Sequence, residues 1–312
     1  MAVGGAGGTL PGMDGLARAE RVARGQDGVI GRGRALRAGL APHEVDGLRR
    51  AGRWRSLARG AYFVASAAHP EPGRRAAIRA ARLSLGRTAL VVLDTAAELH
   101  GLPPAGAHRA AGTVHVAAPG RRPARAYPGI VVHQLAIPPA GRTRVGGIPA
   151  TTPRWTLAAL LPRLDRDAAV ALLDAALYRG LLGPADLRAL PALLAGRRGA
   201  VAARAALPLA DGRAASPLET RLRLRCLEGR VPPEGLRVPV RDRGGRVVAH
   251  GALGWPSRRL IVDADEPVPG GAGDHRRHNR VVAAGWRLLR FSRADAAHPD
   301  AVARRVRTVL SD

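Results

Sequence analysis

Lysine is absent from this chain of 312 residues, cysteine occurs once, and aromatic residues make up 3%. The lone cysteine, Cys226, excludes an intrachain disulfide framework and a cysteine zinc site, and it points to the reducing cytoplasm as compartment. With so few aromatics any core must be built from Ala, Leu and Val, although 46% hydrophobic residues suffice for folded domains. No apolar run of about 18 residues occurs, so no membrane-spanning helix and no membrane partner are expected. The start, with Gly4, Gly5, Gly7 and Gly8, has neither the basic lead nor the apolar stretch of a secretory signal. It reads as a disordered tail over 1–15. The motifs GxxxxGK, HExxH and GxSxG are missing, which removes the commonest nucleotide-binding, zinc-protease and serine-hydrolase readings.

What stands in place of lysine is arginine, 50 basic residues against 24 acidic ones, for a net charge of +26. GC-rich coding accounts for arginine replacing lysine, but not for an excess of about two to one over the acids. The surplus is +10 over 1–90, +8 over 91–215 and +8 over 216–312, so no single tail carries it. Such a field favours a polyanion, nucleic acid first.

Along the chain, Leu16 to Arg24 reads as a helix, Ile30 to Ala38 as a second that ends at Gly39, and Pro42 to Arg50 as a third that Gly52 stops. Within the third, Val45 and Leu48 face inward while Glu44 and Asp46 would repel phosphate at its start. The segment Trp54 to Val64 alternates as a hairpin turning at Gly60. Three short helices and a basic hairpin are the outline of a winged helix-turn-helix, and Arg49, Arg50, Arg53, Arg55 and Arg59 are the candidate nucleic-acid-binding residues. The runs A-L-R-A-G-L (35–40) and L-R-R-A-G-R-W-R-S-L-A-R-G-A-Y (48–62) resemble the N-terminal domain of AbiEi-type antitoxins of type IV toxin–antitoxin systems. That resemblance implies promoter-DNA binding and a cognate toxin protein as a possible partner. Further on, D-T-A-A-E-L-H-G-L-P (94–103) and G-I-P-A-T-T-P-R-W-T-L (147–157) resemble the second region of the same family. Helices are expected over Arg74 to Leu85, Val91 to His100, Thr156 to Leu161 and Ala168 to Leu181. Strands are expected at Thr113 to Ala117 and Ile130 to Leu135, with a basic loop at Arg121, Arg122 and Arg125, and Arg197 to Arg213 reads as a basic linker or helix. His100, His115 and His133 lie on separate elements without paired acids, so no zinc site is expected.

The last 97 residues hold the only recurrent acids at spacings suited to a metal ion. Ser216, Pro217 and Glu219 form a capping box at the start of a helix, with Leu218, Leu222, Cys226 and Leu227 on one side. A hairpin over Leu236 to Arg241 and Arg246 to Leu253 turns at Asp242 to Gly245. A strand over Arg259 to Asp265 follows, and a last run, Gly285 to Phe291, closes the region. This order, with S-P-L-E at 216–219, A-L-G-W-P at 252–256, V-D-A-D-E at 262–266, Asp274 with Arg277, and G-W-R-L-L-R at 285–290, resembles the very-short-patch-repair-like endonucleases of the PD-D/E-x-K superfamily. In that family position 252 is an aspartate and the central Mg²⁺ ligand; here it is Ala252, which offers no oxygen. What the resemblance leaves as catalytic residues is a vestigial or weak set, Glu219, Asp263 and Asp265, with Glu219 and Asp263 as possible metal ligands and Mg²⁺ the cofactor only if the site works.

The expected fold class is thus a multidomain α+β and α/β chain. A winged helix-turn-helix over 16–70 precedes a mixed α/β middle domain over 74–213 and a restriction-endonuclease-like α/β domain over 214–312. The expected function is a DNA-binding, antitoxin-like transcriptional regulator, bound to double-stranded DNA and carrying an inactive nuclease-derived domain. The alternatives are a Mg²⁺-dependent DNA endonuclease and a protein-binding scaffold that neutralises a nucleotidyltransferase-like toxin.

Overall fold

The computed structural model describes residues 11–104, 112–120, 129–266 and 272–311, with side chains from 14 in the first of these spans and from 275 in the last. The glycine-rich start, the basic loop with Arg121, Arg122 and Arg125, and the Asp274 side chain lie outside the described residues. The chain forms two compact units, residues 1–100 with 108–156, and residues 101–107 with 157–312. Both mix helices with sheet, a multidomain α+β architecture. No helix among the described residues is long and apolar enough to cross a membrane.

The first unit opens with α1 (Pro11–Arg24), β1 (Val29–Gly31), α2 (Arg32–Arg37), α3 (Pro42–Arg50), β2 (Trp54–Ala58) and β3 (Ala61–Val64). The strands pair antiparallel in the order β1-β3-β2. Two expectations are corrected. Residues 11–15 are helical, not part of a tail. Ile30 is not helical but sits in β1 opposite Tyr62, fully buried, and Gly31 becomes the cap of α2 rather than a weak point inside it. Proline at the first position fixes the start of α3. Between α2 and α3, Gly39 takes the left-handed φ of 104° that turns the chain. Gly15 of α1 lies so close that a Cβ there would meet the Gly39 backbone at 2.9 Å. Ala19, Ala23, Ile30, Ala35, Val45, Trp54 and Tyr62 close the core between helices and sheet. The other sheet face, with Val29, Ala61 and Phe63, takes Ala76 and Ala80 of α4 (Arg74–Leu85).

A second sheet follows, built from β4 (Leu90–Val91), α5 (Leu93–Leu99), β5 (Val114–Ala117), β6 (Ile130–His133), β7 (Arg142–Val145) and β8 (Ile148–Thr151) in strand order β6-β5-β4-β8-β7. Arginines tie α4 to the first lobe: Arg75 and Arg79 both bond Asp27. Burial opposes ionisation of Asp27, but the bonds from Arg79 and Arg75 prevail and hold its carboxyl below the usual range. Helix α6 (Pro153–Leu160) leads out of this unit.

The second unit begins with α7 (Arg166–Tyr178), whose cap Asp165 accepts a hydrogen bond from the Ala168 N–H at 2.8 Å. After it come α8 (Pro184–Leu194), α9 (Ala200–Ala206) and α10 (Pro217–Glu228). Next are β9 (Gly235–Arg241), β10 (Val247–Trp255), β11 (Leu260–Ala264), α11 (Ala272–Ala283), β12 (Arg287–Phe291), α12 (Arg293–Ala297) and α13 (Ala301–Ser311). The sheet runs β12-β11-β10-β9, with β11 and β12 parallel and the other pairs antiparallel. α10 is buried on two sides. Leu218, Leu222 and Cys226 pack on the sheet and α13 with Trp255, Val262, Phe291 and Val306, while Thr220 and Arg223 meet α7; Leu227, expected inside, is exposed. Helices α7 to α9 therefore share a unit with 214–312, and the chain parts after Thr156 rather than near Ala214.

The α7–α10 contact contains a buried charge pair. Asp174, 1% exposed, accepts bonds from Thr220 Oγ1 (2.8 Å), Arg223 Nη2 (2.9 Å) and the Asp211 amide (2.6 Å). Burial still pushes its carboxyl above the usual range. Asp174→Ala is expected to cost about 3–5 kcal/mol, because it strands the buried Arg223 guanidinium. Adding Arg223→Met should recover part of that loss in thermal unfolding; a double variant less stable than the single one would show that the ion pair is not the source of the cost.

Candidate functional site

Two places carry the chemistry that the sequence singles out. The first is the outer surface of α3 and the β2–β3 hairpin, where the five candidate arginines are all exposed. The acids expected to repel phosphate are both engaged by groups of the same domain. Glu44 accepts a bond from the Ala41 N–H at 2.6 Å, satisfying the first turn of its own helix. Asp46 is gripped by Arg32 through two bonds of 2.7 and 3.0 Å, which hold its carboxyl below the usual range. The arginines differ in their commitments. Arg55 bonds Glu71 at 2.9 Å and lies over the Phe63 ring, and Arg53 stands 3.6 Å from Glu20. Arg49, Arg50 and Arg59 form no salt bridge among the described residues, although the charges of Arg49 and Arg50 help to hold the Asp46 carboxyl down. α3 lies against β2, so the helix and the hairpin that carry these arginines are neighbours.

The second place is the start of α10 and the strands facing it. Ser216 accepts a bond from the Glu219 N–H at 3.2 Å, and the Glu219 carboxylate reaches back one residue further than a capping box requires, to the Ala215 N–H at 2.8 Å. Burial, with the negative charges of Asp263 and Glu266 nearby, pushes the Glu219 carboxyl up. Asp263, 7% exposed on β11, has both oxygens in use: one accepts from the Ala252 N–H at 3.0 Å, the other is paired with Arg277 of α11. Arg277 also donates to the His250 carbonyl. Asp265, just past the strand, turns to Arg290 of β12 at 2.9 Å. The structure thus brings Glu219 and Asp263 together and leaves Asp265 apart.

These residues do not fit a divalent cation. Position 252 supplies only a methyl group, each Asp263 oxygen is already engaged by an N–H donor, and no group of three or more His, Cys, Asp and Glu able to hold a metal occurs among the described residues. Arg277, in the sequence only an anchor beside Asp274, pairs with Asp263, and the negative charge of Glu266 bears on Glu219; no spacing announces either contact. The histidines are another surprise. His115 and His133, on neighbouring parallel strands, bring Nδ1 and Nε2 to 2.9 Å, whereas His100 bonds the Thr151 carbonyl. The thiol of Cys226 is fully buried and its pKa is pushed up to about 12, so it is neither a nucleophile nor a ligand in the folded state. Beside the α7 and α10 termini lies a cleft of about 410 Å³ lined by Asp167, Leu172, Pro217, Leu218 and Arg221.

No family model matches the chain, and no solved structure matches it. Two curated proteins do: Uncharacterized protein Rv2248 of Mycobacterium tuberculosis (strain ATCC 25618 / H37Rv) and Uncharacterized protein MT2308 of the same species (strain CDC 1551 / Oshkosh). Each is 34% identical over 240 residues, which cover 75% of this chain and 84% of the relative.

The raised carboxyl of Glu219 has a stability signature. In the unfolded chain the group ionises through the ordinary range near 4.5, while the folded state holds its proton to higher pH. Stability from this group is therefore full below that range and is lost as pH rises through the folded value. Glu219→Gln keeps an acceptor for the Ala215 N–H and should raise the melting temperature at pH 7, with the gain vanishing below about pH 4. A loss at pH 7 would mean that Glu219 is held as a needed anion.

Proposed function

The chain belongs to the family of these two mycobacterial proteins, and we propose that it is a cytoplasmic DNA-binding regulator of the antitoxin-like type. In this reading residues 16–70 are a winged helix-turn-helix, and the unit containing 214–312 descends from a nuclease without hydrolysing DNA. One observation carries the first half: an exposed helix end and hairpin present Arg49, Arg50 and Arg59 without a salt bridge, while the two acids of the same helix bond first to Ala41 and Arg32. In this arrangement α3 enters a groove and the hairpin arginines lie along phosphates. A cognate toxin protein is the second partner that the resemblance implies. Loss of hydrolysis follows from Ala252 and from the capture of Asp263 by Arg277, since a single half-buried glutamate cannot both hold a cation and activate water.

Duplex binding by the full chain should weaken steeply between low and physiological salt, because arginines release counterions from phosphates. Arg49→Ala with Arg50→Ala should weaken it on every sequence and lower the log–log salt slope by about 0.9 per lost phosphate contact. Binding that ignores salt and both substitutions would exclude this interface.

The endonuclease reading keeps one point in its favour, the closeness of Glu219 to Asp263. Supercoiled plasmid incubated with the protein and Mg²⁺ or Mn²⁺ should stay uncut. Cutting that Glu219→Ala or Asp263→Ala abolishes would overturn the inactive assignment. The Ala252→Asp variant, which restores a carboxylate beside Asp263, is expected to bind Mn²⁺ measurably more tightly than the parent by calorimetry.

A further inference from the structure

The β9–β10 hairpin ends in the sequence Arg241-Asp242-Arg243-Gly244-Gly245-Arg246, three guanidiniums in six residues. Its one acid is spent on the turn. Asp242 Oδ1 accepts from the Gly244 N–H at 2.9 Å and the Arg246 N–H at 3.0 Å, and the Asp242 carbonyl accepts from Gly245, which takes a left-handed φ of 78°. Arg241 is partly committed as well, donating to the Gly245 carbonyl at 2.8 Å. Arg243 and Arg246 are left exposed, with no carboxylate partner among the described residues.

The base of the hairpin is fixed. Val238 and Val240 are buried beneath α11 with Val281 and Trp286, and the Trp286 indole donates to the Arg241 carbonyl at 3.1 Å. A turn held by five hydrogen bonds on a buried base, carrying like charges that the fold leaves uncompensated, has the chemistry of an anion-reading arm rather than of a solvated loop. It has no aromatic or apolar tip to read a base; Val247, 38% exposed, is the nearest apolar side chain.

We propose that this hairpin tip, through Arg243 and Arg246, is a second contact to the phosphate backbone of duplex DNA, independent of sequence. The proposal rests on the DNA-binding reading above, and adds a phosphate clamp in the second unit to the α3 surface of the first. Both contacts on one chain raise the local concentration of DNA at whichever is unoccupied.

The test uses the full chain and a fluorescein-labelled duplex of arbitrary sequence, with anisotropy read across a salt series. Arg243→Ala with Arg246→Ala should lower the log–log slope by about 1.8, at about 0.9 per phosphate contact. The Lys pair at the same positions should keep the slope, and melting temperatures should match the parent because both side chains are exposed. The same drop should appear in the background of Arg49→Ala with Arg50→Ala. If the Ala pair at 243 and 246 leaves affinity and slope unchanged while the α3 pair reduces them, the hairpin proposal is overturned and the first interface stands, and an acidic protein surface becomes the occupant to seek. If only the hairpin pair matters, the α3 interface fails and the clamp stands. A parent chain that does not bind DNA overturns both.

Discussion

Pairing between arginine and carboxylate is the interaction on which the rest of this molecule depends. With twice as many basic residues as acids, each acid is contested, and the fold assigns it. Asp27 goes to Arg75 and Arg79, Asp46 to Arg32, Asp174 to Arg223, Asp263 to Arg277, and Asp167 to Arg166 and Arg225. Because guanidinium stays charged and offers five donors in a rigid fork, these pairings hold helices to sheets and helices to each other where aromatic cores are thin.

The same pairing decides what chemistry is open. A carboxylate that serves a metal turns its oxygens to the cation, and both oxygens of Asp263 are turned to an amide and a guanidinium. Arginines without a salt bridge are then among what faces outward, at the end of α3, at Arg59 and at the tip of the β9–β10 hairpin as elsewhere on the surface. A surface made by subtraction in this way is charged and sparse in apolar contact, which is what the proposed phosphate contacts require.

Local signals told most of the local story. Pro42 and Pro217 mark helix starts, Gly60 and Gly245 mark hairpin turns, and the period of Arg74 to Leu85 shows a helix that the structure bounds at the same residues. What escaped was set at a distance. β1 is three residues long and exists because Tyr62 pairs with Ile30, so its helical pattern was overridden by a partner more than thirty positions away. The union of α7 with α10 runs through Asp174 and Arg223, one acid and one arginine among many, and the proximity of His115 to His133 follows from a parallel pairing of strands. At the candidate site the absence of an acid at 252 is visible in the sequence, whereas the engagement of Asp263 by Arg277 is not, since it depends on where α11 lies on the sheet.

Cys226 gives the second unit a built-in clock. As the only thiol in the chain, lying wholly beneath the sheet side of α10, it can meet an alkylating reagent only when that helix leaves the sheet. The rate at which the native protein is capped therefore measures how often this core opens, residue by residue silent elsewhere, and needs no engineered probe.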